Sequence, residues 1–210
     1  LIVEHDGNDG FLVRDGFSRI VRLGEGLDRA GRLSDSAMER TIAALRICAS
    51  KIRRASVGRM RCVATEACRD ADNGPEFIKR VRKETGLSLE IIDGKAEAEL
   101  AAIGFGSLFN AEVEDIILFD IGGGSTEVSR STRQENGFFK LTDSASLPLG
   151  VVRLAERHAG EGLYEHGYEG MLAESEERLE DFMNRQGDIT DMSKVQIIGT
   201  SGTVTTLAAV

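Results

Sequence analysis

The residues most able to do chemistry lie in one stretch, DIGGGSTE, Asp120–Glu127. Three successive glycines, Gly122, Gly123 and Gly124, let a backbone approach a ligand closely. Their N–H groups, with the hydroxyls of Ser125 and Thr126, can donate to phosphate oxygens. Asp120 ends an apolar run and Glu127 follows the glycines, so a hairpin tip brings both carboxylates to the mouth of this cradle. Magnesium takes hard oxygen ligands, one or two of them carboxylates, and keeps waters and substrate phosphate. The pair therefore reads as a magnesium site, against the blander reading of a glycine turn capped by its aspartate. A P-loop needs Gly-Lys-Ser/Thr, and the dinucleotide fingerprint needs a third glycine where Glu127 stands. TEVSRS continues with β-strand alternation, so neither motif fits.

A second glycine segment, Gly199, Thr200, Ser201, Gly202 and Thr203, leaves the apolar run VQIIG and enters a helix with Thr203 as the expected N-cap. A helix N-terminus attracts anions. Alone it reads equally well as a tight strand-to-helix turn. Zinc chemistry is disfavoured, because His5, His158 and His166 are scattered and form no HExxH pair. Cys48, Cys62 and Cys68 lack CxxC spacing and read as reduced, structural thiols.

The elements that must position these residues follow from the 210-residue chain. LIVEHDGNDGFLVRD reads as a hairpin that starts in mid-strand, so a first strand is expected to precede it. Met38, Ile42, Leu45, Ala49 and Ile52 recur at helical spacing, with Ser36 and Glu39 as a capping box. MRCVAT and LSLEII read as buried strands around a helix that Pro75 opens and Gly86 closes. Lys95–Phe109 reads as a further helix. The order then restarts: two strands around the glycines, a hairpin turn at Asn136-Gly137, helices over Ala145–His158 and Tyr168–Arg185, and strand VQIIG. The expectation is an α/β protein of two lobes, residues 1–110 and 111–210, with a ligand cleft between them.

Charge separates the halves: residues 1–100 hold 18 Lys and Arg against 17 Asp and Glu, and residues 101–210 hold 8 against 18. A net charge of −9 speaks against a DNA-binding role. The acidic run Glu169–Asp181 and the basic run Lys51–Arg61 both read as solvated helix surface. No run approaches the roughly 20 apolar residues of a membrane span and no signal segment opens the chain, so the expected compartment is cytoplasmic.

Six segments in order, RLGEGLDRAGRLS, ATEACRDADN, IIDGKAEAELAAIGF, LFDIGGGSTE, SLPLGVVRLAE and GTSGTVTTLA, resemble the exopolyphosphatase and guanosine pentaphosphate phosphohydrolase family. The resemblance implies two ribonuclease H-like lobes of the actin, sugar kinase and Hsp70 ATPase superfold. It implies Mg2+ on Asp120 and Glu127, Glu97 as the general base that activates water, and Arg69 as a phosphate contact. The implied substrate is inorganic polyphosphate or guanosine pentaphosphate (pppGpp). Two rivals share the fold: an alarmone-binding regulator without hydrolysis, and a phosphotransferase. A homodimer is the default assembly.

The chain departs from the family pattern in three places. The usual first phosphate loop, resembling DIGSNS, is expected before residue 1, and the last helix is expected to continue past the end. The usual SGEEEA is DGKAEAE, with Asp93 for the first serine and Ala96 for the first acidic position, while Glu97 remains. The spacing from Glu97 to Asp120 is one residue longer, an excess assigned to the loop around Asn110–Glu114.

Overall fold

A computed structural model describes residues 1–7, 10–110, 112–158, 167–187, 189 and 191–209. The chain divides into two units, Leu1–Ile91 and Ile92–Val210. The division falls before the boundary read from sequence at 110, because the helix Gly94–Phe105 packs on strands of the second unit. That helix buries Ala98, 1% exposed, a side chain small enough for close approach to a sheet.

In the first unit, strands β1 (Ile2–His5) and β2 (Phe11–Asp15) form the expected antiparallel hairpin. Short helix α1 (Leu27–Ala30) precedes the long α2 (Asp35–Arg54). The cap of α2 is Ser34 and not Ser36: the Ser34 side chain accepts from the Ala37 N–H, the N3 amide that an N-cap oxygen reaches. Strands β3 (Val63–Ala64) and β4 (Glu90–Ile91) pair in parallel over two residues each, shorter than the two strands expected. Among the described residues they form a two-stranded sheet, and a two-stranded ladder gains little from extending. Helices α3 (Glu66–Asp70) and α4 (Gly74–Thr85) complete the unit, with Gly86 closing α4 at φ 78° in the left-handed region.

Its core joins Leu33, Ile42, Phe77, Val81 and Leu87, the helical stripe anticipated for α2 meeting one face of α4. Asn73 is buried and ties the start of α4 to the segment before α2: its Oδ1 accepts from the Leu33 N–H at 2.8 Å and its Nδ2 donates to the Leu33 carbonyl at 3.0 Å. The basic run is solvated surface, as expected, with Lys51 on Asp15 and Arg61 on Glu90. The three cysteines are free, and burial pushes the Cys68 thiol up to about 11, an unreactive thiol.

The second unit is built on a four-stranded mixed sheet of order β7-β6-β5-β8. Its strands are β5 (Asp115–Ile121), β6 (Thr126–Arg133), β7 (Phe139–Leu147) and β8 (Val195–Thr200). Helix α5 (Gly94–Phe105) covers one face. On the other face Val128, Leu147 and Phe182 form a core with Ile117, Phe119, Leu154 and Leu179. That core brings in α6 (Val151–Arg157) and α7 (Gly167–Arg185). The helix expected from Ala145 begins only at Val151: Pro148 has no N–H and restricts Leu147 to extended geometry, so 145–147 complete β7. Edge strand β8 leaves Ile197 57% exposed, so it is not the buried strand expected. Helix α8 (Ser201–Ala208) follows β8 directly, with Thr200 and not Thr203 at the N-cap position. His166 lies outside the described residues. No helix among the described residues is long and apolar enough to cross a membrane.

At the far end of β5 from the glycines, Arg130 grips Asp115 with Nε and Nη2, both at 2.8 Å, while Thr132 donates to the same carboxylate. Those bonds, Arg130 foremost, hold the Asp115 carboxyl below its ordinary 3.8. A depressed folded value contributes stability that is present above pH 3.8 and is lost as pH falls through the folded value. Asp115→Asn is expected to lower the unfolding free energy at pH 7 by about 1–3 kcal/mol. The deficit should shrink below pH 4, as followed by urea denaturation across about pH 3–7.

Candidate active site

The hairpin of β5 and β6 is in register with Asp120 opposite Glu127 and Ile121 opposite Thr126. Glu127 is also opposite Ser146 on β7, and Asp120 opposite Thr200 on β8. Directly opposed residues share a face with Cβ atoms about 5 Å apart. Ser146, Glu127, Asp120 and Thr200 therefore form one row across four strands. Helix α5 lies over the same face: a Cβ added at Gly94 would come 2.6 Å from the Ser146 Cβ. Asp93 caps this helix, its side chain accepting from the Ala96 N–H at 2.7 Å. Glu97 lies in the first turn, with its N–H bonded to the Asp93 carbonyl at 3.0 Å and carboxylate oxygen Oε2 sealed from solvent.

The row contains unlike groups. Glu127 is 5% exposed, and its Oε1 accepts from Ser125 Oγ at 2.6 Å and Ser146 Oγ at 2.9 Å. The Asp120 carboxylate, half-buried, makes no hydrogen bond or ion pair among the described residues. Thr200 is 4% exposed, and its buried hydroxyl has no hydrogen-bond partner among them. A buried polar group without a partner costs about 1–3 kcal/mol unless something fills the place. Two carboxylates beside an unsatisfied hydroxyl are a hard-oxygen donor set, and the residues fit a magnesium ion. No cluster of three or more His, Cys, Asp or Glu side chains among the described residues could hold a metal by itself.

The glycine loop takes its orientation from α6. Its turn is closed by the Gly122 N–H on the Ser125 carbonyl at 2.9 Å. The Gly122 carbonyl accepts from Val151, that of Gly123 from Val152 and Arg153, and that of Gly124 from Gly150. The opening of α6 thus satisfies its otherwise unpaired donors on loop carbonyls. The N–H groups of Gly123, Gly124 and Ser125 donate to no acceptor among the described residues, leaving three consecutive donors for an anion. Gly150 permits this docking: a Cβ there would lie 2.2 Å from the Gly123 carbonyl carbon and 2.3 Å from that of Gly124.

The anticipated residues are brought together unequally. Glu97, Asp120, Glu127, the glycine loop and the segment 199–203 all belong to the second unit. The Thr126 hydroxyl donates to the Leu149 carbonyl, and that of Ser125 to Glu127. Ser201 adopts φ 78°, uncommon for a residue with a side chain, while its hydroxyl donates to the Ile121 carbonyl. Thr203 Oγ1 reaches the same carbonyl at 3.5 Å, and Gly202 lies inside α8. Gly199 sits against Phe119, where a Cβ would come 2.5 Å from the ring. Arg69 lies on α3 of the first unit, its Nε 3.8 Å from Asp70. Sequence reading missed Ser146 and Gly150. The alternation of DSASL and the following proline are the signals in the sequence that mark a strand there.

A sheet row of two carboxylates beside a loop whose amides are unpaired among the described residues is an arrangement able to take a phosphate group, and comparison with known proteins gives the family. The chain belongs to the Ppx/GppA phosphatase family, whose pattern it matches over residues 2–210. It is 32% identical over 198 residues to a bifunctional 3-dehydroquinate synthase/phosphatase of Fusobacterium nucleatum, covering 91% of this chain and 28% of that protein. It is 36% identical over 145 residues to exopolyphosphatase 2 of Mycobacterium tuberculosis, covering 67% of this chain and 44% of the relative. Among solved structures, an exopolyphosphatase from Cytophaga hutchinsonii superposes with TM-score 0.78 at 28% identity, over 99% of this chain and 64% of that one. The Aquifex aeolicus Ppx/GppA member does so with TM-score 0.68 at 32% identity, over 98% and 62%. The chain thus spans less than half the length of these two curated relatives.

Gly150→Ala is expected to force α6 away from the glycine loop at a cost of about 1–3 kcal/mol, read by chemical denaturation. The amide resonances of Gly123 and Gly124 should move with it, whereas Gly202→Ala, in open space, should leave both unchanged.

Proposed function

We propose that this chain provides the phosphoryl-binding and water-activating part of a phosphatase that hydrolyses a terminal phosphoanhydride of inorganic polyphosphate. One observation carries the proposal: Asp120 and Glu127 stand opposite each other beside three consecutive free backbone donors. Such donors stabilise charge on equatorial phosphoryl oxygens without reorganising during reaction. Relatives named as exopolyphosphatases support polyphosphate as the substrate. Guanosine pentaphosphate presents the same terminal anhydride and is the second candidate.

Glu97 takes the proton of a water whose oxygen attacks the terminal phosphorus, and the bridging P–O bond breaks to release orthophosphate and a chain shortened by one unit. Asp120 and the Oε2 of Glu127 would hold Mg2+, with the Thr200 hydroxyl in the same row. When bound there, Mg2+ supplies neutralisation of phosphate charge. The amides of Gly123, Gly124 and Ser125 orient the terminal phosphate, and Arg69 and the opening of α8 contact further phosphate oxygens.

Phosphate release from polyphosphate and from guanosine pentaphosphate by the full-length gene product tests this reading. Glu97→Gln should lower turnover by about 10²–10⁴-fold with the substrate still bound. Asp120→Asn should raise the magnesium concentration needed for half-maximal rate. Binding of guanosine pentaphosphate with no release from either substrate would replace the hydrolase with an alarmone-binding regulator.

A further inference from the structure

We infer that Ser146 is a positioning residue that orients Glu127 and is itself seated against the opening of α5. The inference rests on the reading of Glu127 as a magnesium ligand and Glu97 as the general base.

Ser146 lies on β7 directly opposite Glu127, and its hydroxyl donates to Glu127 Oε1 at 2.9 Å. Ser125 donates to the same oxygen at 2.6 Å from the other side of the sequence motif. Two hydroxyls on one oxygen fix the rotation of a buried carboxylate and leave Oε2 free of protein donors among the described residues. Donors to a metal-binding carboxylate act in this way, orienting the ligand. A serine that needed only its own hydrogen bond satisfied would place no demand on the next layer, but Ser146 does. A Cβ built on Gly94 would meet the Ser146 Cβ at 2.6 Å and its Oγ at 3.3 Å. Gly94 is the first residue of α5, and Glu97 follows within the same turn. Ser146 thus touches both the carboxylate and the helix opening that carries the base.

Gly94 supplies a second lever. The glycine has no positive φ to justify it, and alanine is the better helix former, so its role is to give Ser146 room. Gly94→Ala should push Ser146 off Glu127 without altering any carboxylate.

The test is calorimetric titration of Mg2+ into the full-length protein without substrate, beside the magnesium dependence of polyphosphate hydrolysis. Ser146→Ala is expected to weaken Mg2+ binding by about tenfold, the low end of the effect of removing a ligand's supporting donor. The half-saturating Mg2+ in turnover should rise by the same factor, while kcat at saturating Mg2+ changes by less than about threefold. Gly94→Ala should weaken Mg2+ binding similarly, and the double variant by no more than the worse single one, because both act through one contact. Thermal unfolding of each variant separates loss of fold from loss of metal, and Gly94→Ala carries the test if Ser146→Ala does not fold. Mg2+ binding by Ser146→Ala within about twofold of the unmodified protein, or losses that add in the double variant, would overturn the inference and leave the proposed site standing. An unmodified protein that binds no Mg2+ would overturn both.

Discussion

The register of one β-hairpin decides where the two carboxylates of the candidate site stand. Because side chains alternate along a strand, a slip of one residue between β5 and β6 would send Asp120 and Glu127 to opposite faces. Burial pins that register. Ile116 and Leu118 lie on the face covered by α5, while Ile117, Phe119 and Val128 lie in the core with α6 and α7. Both faces are covered, so neither strand can shift without exposing an apolar row. The cost of a misplaced Asp120 is therefore set by the hydrophobic effect acting on its neighbours, and no bond of Asp120 itself is required.

The same economy holds for the glycine loop. Three glycines in succession are conformationally permissive, and such a loop would lose much entropy on ordering. Its carbonyls are the acceptors that the opening turn of α6 needs, so helix capping and loop orientation are a single event. Once the carbonyls face α6, the amides of Gly123, Gly124 and Ser125 are left for a ligand. The absence of a side chain at Gly150 makes this approach possible. Among the described residues of the second unit, Ser201 is the one non-glycine residue at positive φ, held in a left-handed conformation where β8 turns directly into α8.

Much of this was legible in the sequence, for identifiable reasons. The hairpin of β5 and β6 announces itself through alternation on both sides of a glycine run, and Asn136-Gly137 marks the next turn, where Gly137 adopts φ 83°. The stripe of α2 and the glycine closing α4 depend on neighbouring residues alone. What was misread depends on tertiary partners. Val63 and Ile91 have strand propensity, but in a two-stranded ladder that propensity supports only two residues each. Ala145–Leu147 are compatible with helix, and β6 recruits them as a strand instead. Ser146 was invisible because a serine's role is fixed by the carboxylate opposite it, which no local pattern reveals. The boundary at Ile91 was hidden for a similar reason, since α5 joins the second unit through contacts with β6 and β7.

The most direct test of the account is a crystal structure of the full-length protein grown with Mn2+, read by anomalous scattering. Manganese shares magnesium's preference for carboxylate oxygen and reveals its own position. A peak about 2.0–2.3 Å from carboxylate oxygens of both Asp120 and Glu127, with phosphate on the amides of Gly123 and Gly124, is the result this account predicts. A manganese ion bound elsewhere, with Asp120 and Glu127 uncoordinated, would contradict it.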